Sequence, residues 1–259
     1  MVIPKRYEVT DEQWERIADL FPKRSTRGRP PKVDNRTAFN ATLWLIRSGA
    51  AWRDLPERYG PWKTIYSRFR LWVDAGVFEQ IFKVVSADAD MENVSLDSTS
   101  IRVHQKASGA KKNAVNADVN QYIGRSRGGL TTKIHAIVDG LGNPLSFRLS
   151  GGEVHDSTVA APLLGTIPLK SVNVLADKAY GTQALRDFIT SQEGYYTIPP
   201  KSNAVNPWPC DFYLYKERHL IEGFFNQMKE FRRIATRYDK LAHVFLGAVY
   251  VAAIWVWLK

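Results

Sequence analysis

The spacing of apolar residues changes character once along this chain, near Met91, and that change constrains the fold more than any other feature. Before it, apolar side chains recur at helical intervals: Phe39, Leu43 and Ile46, then Ile65, Phe69 and Trp72. After it come strand-like runs at 94–101, 131–139 and 144–150, the last two joined by the turn Gly140-Leu141-Gly142-Asn143. A short apolar strand at 172–176, a helix over 183–191 and a strand near 195–198 come next. Two helices, 215–233 and 241–258, end the chain. Three strands followed by alternating helix and strand predict an α/β domain with a mixed sheet over residues 91–259, behind an all-α segment over 1–88.

The helical segment carries its own punctuation. Thr10-Asp11-Glu12-Gln13 forms a capping box, with Val9 and Trp14 placed as a hydrophobic staple. That helix runs to about Phe21, where Pro22 stops it. Residues 23–32 form a basic linker too rich in Gly and Pro to be regular. Asp34 caps a helix over 36–48 that closes on Gly49. Pro61 opens another to about Val73, and a last one covers 77–85. Two such helices joined by a turn are compatible with a helix-turn-helix unit. Trp44, Trp62 and Trp72 suit its core.

Charge narrows the partner. Among 259 residues, 36 Lys and Arg stand against 26 Asp and Glu, a formal net charge of +10, so a polyanion is the natural ligand. Between the first two strands, residues 104–129 are polar and rich in Gly, Asn and Ala. The stretch 101–133 holds Arg102, Lys106, Lys111, Lys112, Arg125, Arg127 and Lys133 against Asp118. Such a segment buries too little apolar surface to order itself and is expected to be mobile until a polyanion organises it. One cysteine, Cys210, excludes a disulfide within the chain and a multi-cysteine zinc site. No apolar stretch in Met1–Thr10 suggests a signal peptide. The apolar run 241–258 reads as a buried helix rather than a membrane anchor, so a cytoplasmic, nucleoid-associated protein without a membrane partner is expected.

Three acids occupy suggestive positions. Asp97 lies within the first strand on the side of Ser95 and Thr99, opposite Val94 and Leu96. Asp177 ends a buried strand, where open α/β sheets bind ligands, although an aspartate there also serves as a cap for the next loop. Glu222 sits mid-helix. At 100° per residue, Tyr215, Arg218, Glu222 and Lys229 share a stripe of about 60°, with Arg233 beside it. A solvated, salt-bridged face is the alternative, but one acid among cations suits a site receiving both metal and phosphate. Asp156, after His155, reads as the N-terminal cap of a helix over 158–164, with a supporting active-site role as the alternative. Arg27-Gly28-Arg29-Pro30 is either a plain linker or a hook for a narrow A·T-rich minor groove. Lys63, Arg68 and Arg70 flank the helix after Pro61, which either reads a major groove or is simply solvated.

The spacing Tyr215-x2-Arg218-x3-Glu222-x6-Lys229 resembles the signature around the catalytic glutamate of insertion-sequence transposases of the DDE class. Leu96-Asp97-Ser98-Thr99 and Leu175-Ala176-Asp177-Lys178-Ala179-Tyr180-Gly181 look like the other two blocks of that class. The stretch 124–135, from Gly124 through Arg125, Arg127 and Lys133 to His135, is similar to the bacterial insertion-sequence-5 family, as is Trp52-Arg53-Asp54-Leu55-Pro56. That resemblance implies an RNase H-like catalytic domain behind a helical DNA-binding region. It implies that Asp97, Asp177 and Glu222 hold two Mg2+ ions, with Mn2+ able to substitute. It also implies that Arg218 and Lys229 contact DNA near the cut, with Tyr215 in the same motif.

The remaining expected DNA contacts are Arg233, Arg125, Arg127, Lys133, Arg27, Arg29, Lys63, Arg68 and Arg70. The expected partner is double-stranded DNA, namely the element's terminal inverted repeats and the target. Pairing two ends predicts a homodimer or larger assembly on DNA. Two ions roughly 4 Å apart would serve the attacking and leaving oxygens of an in-line displacement. Two other readings are a nuclease that cuts without joining and a DNA-binding regulator with an inert C-terminal domain. No His-x-x-Arg follows any of the five histidines, which disfavours a tyrosine recombinase.

Overall fold

The computed structural model of the protein describes residues 7–23, 33–109 and 120–259. The helices are α1 (Asp11–Glu15), α2 (Asn35–Ser48), α3 (Trp62–Asp74), α4 (Val77–Val85), α5 (Asp156–Leu164), α6 (Gln183–Ser191), α7 (Phe212–Tyr215), α8 (His219–Lys229), α9 (Arg232–Ala235) and α10 (Ala242–Trp257). The strands that build the sheet around the acidic residues are β1 (Asn93–Val103), β2 (Gly124–Ser126), β3 (Gly129–Val138), β4 (Pro144–Gly151), β5 (Asn173–Ala176) and β6 (Tyr195–Thr197). The chain forms two compact units: Met1–Ala87 with Gln105–Ala110 and Met228–Lys259, and Asp88–His104 with Lys111–Gln227.

In the first unit the capping box at Thr10 is formed, Thr10 accepting from the Gln13 amide while the Gln13 side chain accepts from the Thr10 amide. Asp34 accepts from the Thr37 amide at 2.6 Å and starts α2, which stops at Gly49 in the left-handed conformation, φ 76°. Phe39, Ile65, Phe69, Trp72, Phe78 and Ile81 are buried here. Phe21 meets Trp72 edge-on at 4.9 Å. Helix α10 is apolar on nearly every side, with Val244, Phe245, Val249, Val251 and Ile254 buried, so one covering face is not enough for it. Helices α2, α3 and α4 cover it. Gly247 makes the close approach possible: a Cβ there would lie 2.5 Å from Val73 Cγ2. This grouping differs from the sequence expectation, which places all of 91–259 in one domain. No helix among the described residues is long and apolar enough to cross a membrane.

The second unit is built on a mixed sheet. β1, β3 and β4 form an antiparallel meander, and β5 and then β6 add in parallel on the other side of β1, giving the order β4-β3-β1-β5-β6. The short β2 pairs with the first residues of β3, beside the stretch taken by β4. A mixed sheet flanked by helices is what the sequence pattern predicts, and it suits the RNase H-like fold that the family resemblance implies. Helices α5 and α6 supply Ala160, Leu163, Leu164, Leu185 and Ile189 to a core completed by Val94, Leu96, Val174, Ala176 and Ile198.

The structure adds detail to three local expectations. The helix expected over 215–233 is broken into α7, a 3-10 turn at Lys216–Arg218, α8 and α9. Asp211 caps α7 by accepting from the Tyr213 and Leu214 amides, so the helix starts earlier, and the tighter 3-10 turn re-aims α8. Within the segment 104–129, expected to be mobile until a polyanion organises it, the described residues include β2, paired to β3, and the Thr132 hydroxyl donates to the Tyr122 carbonyl at 2.6 Å. The cap of α5 is His155 rather than Asp156, whose carboxylate is engaged by Lys133. The linker 24–32, with Arg27 and Arg29, and residues 110–119 lie outside the described residues.

Candidate active site

Register places the first two acids side by side. Parallel pairing of β1 with β5 ends at Leu96 opposite Ala176. The next residue in each case is the aspartate: Asp97 continues β1 and Asp177 follows the last residue of β5, so the two start about 5 Å apart. Each commits one oxygen to the backbone. Asp97 Oδ1 accepts from the Ser98 amide at 2.7 Å, and Asp177 Oδ1 accepts from the Ala179 amide at 2.7 Å, capping the 3-10 turn Lys178–Tyr180. Asp177 is therefore a loop cap and a site neighbour at once.

The third acid arrives through a cation. The turn Lys216–Arg218 rests against β1 and β5. From it, Arg218 donates to Asp97 Oδ2 at 2.8 Å and, through its other terminal nitrogen, to Glu222 one helical turn later. The Arg218 and Asp97 side chains are largely buried, at 19% and 21% exposure, whereas that of Glu222 is 53% exposed. The guanidinium also lies 5.9 Å from the centre of the Tyr215 ring. Burial works against its charge, yet Asp97, Tyr215 and Glu222 raise its pKa above the ordinary arginine value.

Burial pushes Asp97 above the usual carboxylate range, and the charges of Asp177 and Asp156 add to that rise. The Ser98 amide and Arg218 pull the other way. Asp156 belongs to this acidic neighbourhood, the alternative that its sequence position leaves open. Lys133 Nζ donates to its Oδ1 at 2.8 Å and to the Val154 carbonyl at 2.7 Å. His135, buried in β3, turns Nδ1 toward Asp156 at 4.0 Å and pairs Nε2 with the Ser150 hydroxyl at 2.8 Å. Tyr180 is enclosed nearby, its hydroxyl beside Ser98 without a standard hydrogen bond, and burial with the surrounding carboxylates raises its pKa strongly. Only the His-Asp pair at a helix start signals Asp156 in the sequence. Tyr180 gives no signal beyond its place in the Asp177 block.

The chemistry of the donors fits a hard divalent cation: three carboxylates, two of which already share a positive group. Among the described residues, however, no three His, Cys, Asp or Glu side chains are preassembled around one metal position. Arg218 is the cation that Asp97 and Glu222 share.

The expected DNA contacts fall into two groups. Lys63, Arg125, Arg127 and Lys229 are exposed. Others are engaged within the protein. Lys133 is on Asp156; Arg68 donates to the Val33 and Asp34 carbonyls at 2.8 and 2.9 Å; Arg70 pairs with Asp74 at 3.5 Å. Arg233 is buried, bound to the Ala50 carbonyl and Asp239. Tyr215 is half-buried beside Arg218.

Comparison with known proteins bears on the family. Residues 9–82 match the family model described as "Putative transposase of IS4/5 family". Residues 88–206 match a "Transposase DDE domain" model, and a second model of that description matches 174–259. The chain is 41% identical over 134 residues to a protein of Brucella ovis described as "Putative transposase for insertion sequence element IS6501", covering 50% of this chain and all of that one. It is also 41% identical over 102 residues to the uncharacterized protein y4sN of Sinorhizobium fredii, 39% of this chain and 82% of that protein. Among solved structures, the piggyBac transposase in a synaptic complex with hairpin DNA aligns over 77% of this chain and 50% of its own, at 12% identity and a TM-score of 0.41. The chain belongs to the IS4/5 family of insertion-sequence DDE transposases.

Proposed function

We propose that this transposase binds the terminal inverted repeats of its insertion sequence, cuts the DNA strand at each end and joins the freed 3′-OH to a target duplex. Asp97, Asp177 and Glu222 are the carboxylates that hold the divalent ions, Mg2+ or Mn2+. The observation that carries this reading is that Asp97 in β1 and Asp177 just past β5 each follow the last paired residues, Leu96 and Ala176, while Arg218 ties Asp97 to Glu222. The ions, when bound, supply the activation of the attacking oxygen and the stabilisation of the leaving 3′-oxygen.

The chain's own residues do the rest. The Ser98 and Ala179 amides each fix one oxygen of an aspartate and orient the other. Arg218 offers a planar pair of donors suited to a phosphate once its carboxylates are otherwise neutralised. The exposed Arg125, Arg127, Lys63 and Lys229 contact the DNA backbone, and the net charge of +10 draws the duplex in. Residues 1–88 supply the helical DNA-binding part. Two ends must be held together for joining, so at least two copies assemble on paired ends. Sedimentation of the paired-end complex should give two or more protein copies, and one copy would contradict this.

The test is a cleavage and strand-transfer assay on a labelled duplex carrying the ends of the encoding element. Asp97→Ala, Asp177→Ala and Glu222→Ala should each lower cleavage by at least about a thousandfold, some 4 kcal/mol of barrier, while end binding persists. Cleavage surviving all three substitutions would refute the assignment, and cutting without joining would reduce the activity to that of a nuclease.

A further inference from the structure

We infer that Arg218 is a built-in counter-ion of the catalytic carboxylates, which a divalent metal must displace from Asp97 and Glu222 before it can bind them. The inference rests on the metal-site reading proposed above and deepens it.

Arg218 donates to Asp97 Oδ2 at 2.8 Å, while Oδ1 of the same carboxylate is taken by the Ser98 amide at 2.7 Å. Both oxygens of this largely buried acid are thus engaged, and only one of the two partners is mobile. Backbone at Ser98 is fixed by the β1–β3 pairing of Ser98 with His135, whereas Arg218 is a long side chain on a 3-10 turn. A small hard ion needs its oxygens at about 2.0–2.1 Å. It cannot occupy that side of Asp97 while a guanidinium does, and the two positive charges repel. Arg218 also spans to Glu222, so a single residue neutralises one buried and one exposed carboxylate. Without it, Asp97 would face Asp177 and Asp156 with no cation bound to it among the described residues.

The arrangement keeps the acids together before loading and sets a threshold for metal binding. It also links two events. A DNA phosphate gives the departing guanidinium a new bidentate partner, so engagement of DNA favours loading of metal, and loading favours engagement.

The experiment is a Mn2+ titration of the full chain without DNA, following the free-ion signal by electron paramagnetic resonance. Arg218→Met should bind Mn2+ at least about tenfold more tightly than the unmodified protein. Lys178→Met removes the same charge from an exposed position next to Asp177 and should change affinity by no more than about twofold. Equal affinities of Arg218→Met and the parent, or an equal gain in Lys178→Met, would overturn the inference alone. No saturable binding by any of the proteins would overturn the metal-site reading and the inference with it. A second measurement needs no loss of the side chain. The Arg218 Nε–H resonance, assigned by its absence in Arg218→Lys, should shift in step with Mg2+ added to the unmodified protein. A resonance unchanged at saturating Mg2+ would overturn the displacement.

Discussion

Asp97 on β1 and His135 on β3 sit one step apart across the ladder, Asp97 facing Ala136 and Ser98 facing His135, and burial acts on this acid and this base with opposite sign. For Asp97, burial raises the pKa by penalising the charged form, and the Arg218 cation offsets part of that shift. For His135, burial lowers it from 6.5 to about 4; Asp156 opposes that shift and Lys133 adds to it. His135 is therefore neutral at pH 7. Between pH 6.5 and 4 the unfolded chain binds a proton that the folded protein refuses. Stability should fall as the pH drops through that window and level off below it. The ceiling on this contribution is about 3 kcal/mol. Urea unfolding from pH 7 to pH 4 should show a shallower loss in His135→Gln, which keeps a polar partner for Ser150. An identical slope in both proteins would contradict the assignment of that proton to His135.

Individual elements divide by how local their causes are. Helices α2, α4 and α6 and the β3–β4 hairpin follow from apolar period, caps and turn glycines, all readable within a dozen residues. Gly49 is one such signal, and the structure gives it a second duty. At φ 76° it ends α2, and a Cβ there would fall 2.7 Å from Arg232 Cβ. Gly49→Ala should cost roughly 1–3 kcal/mol from backbone strain and that clash combined. Thermal melting checks this, and an unchanged midpoint would show that α9 yields freely. Elements whose form depends on distant partners are not readable in this way. The break of the expected 215–233 helix comes from Asp211 capping upstream and from the turn at Lys216–Arg218 resting on β1 and β5. Likewise Asp156 resembles a helix cap in sequence because its real partner, Lys133, is twenty-three residues away. The three acids are identifiable through motif resemblance; that Arg218 joins two of them requires the fold.

At the scale of the whole molecule, the chain divides by what each segment must bury. Helix α10 presents apolar residues in every direction and groups with α2, α3 and α4, although it comes after the sheet in sequence. Periodicity indicates a helix that needs cover but not which helices cover it. The sheet order β4-β3-β1-β5-β6 makes β1 and β5 neighbours and so brings Asp97 and Asp177, far apart in sequence, side by side, the property on which the proposed chemistry depends. The most direct measurement is anomalous diffraction from crystals of the protein bound to an uncleaved end duplex and soaked in Mn2+. Peaks should lie within ligand distance of Asp97, Asp177 and Glu222, with Arg218 turned from Asp97 onto a phosphate. A duplex seated on these residues with no anomalous peak among them, and Arg218 still on Asp97, would contradict the assignment of this site.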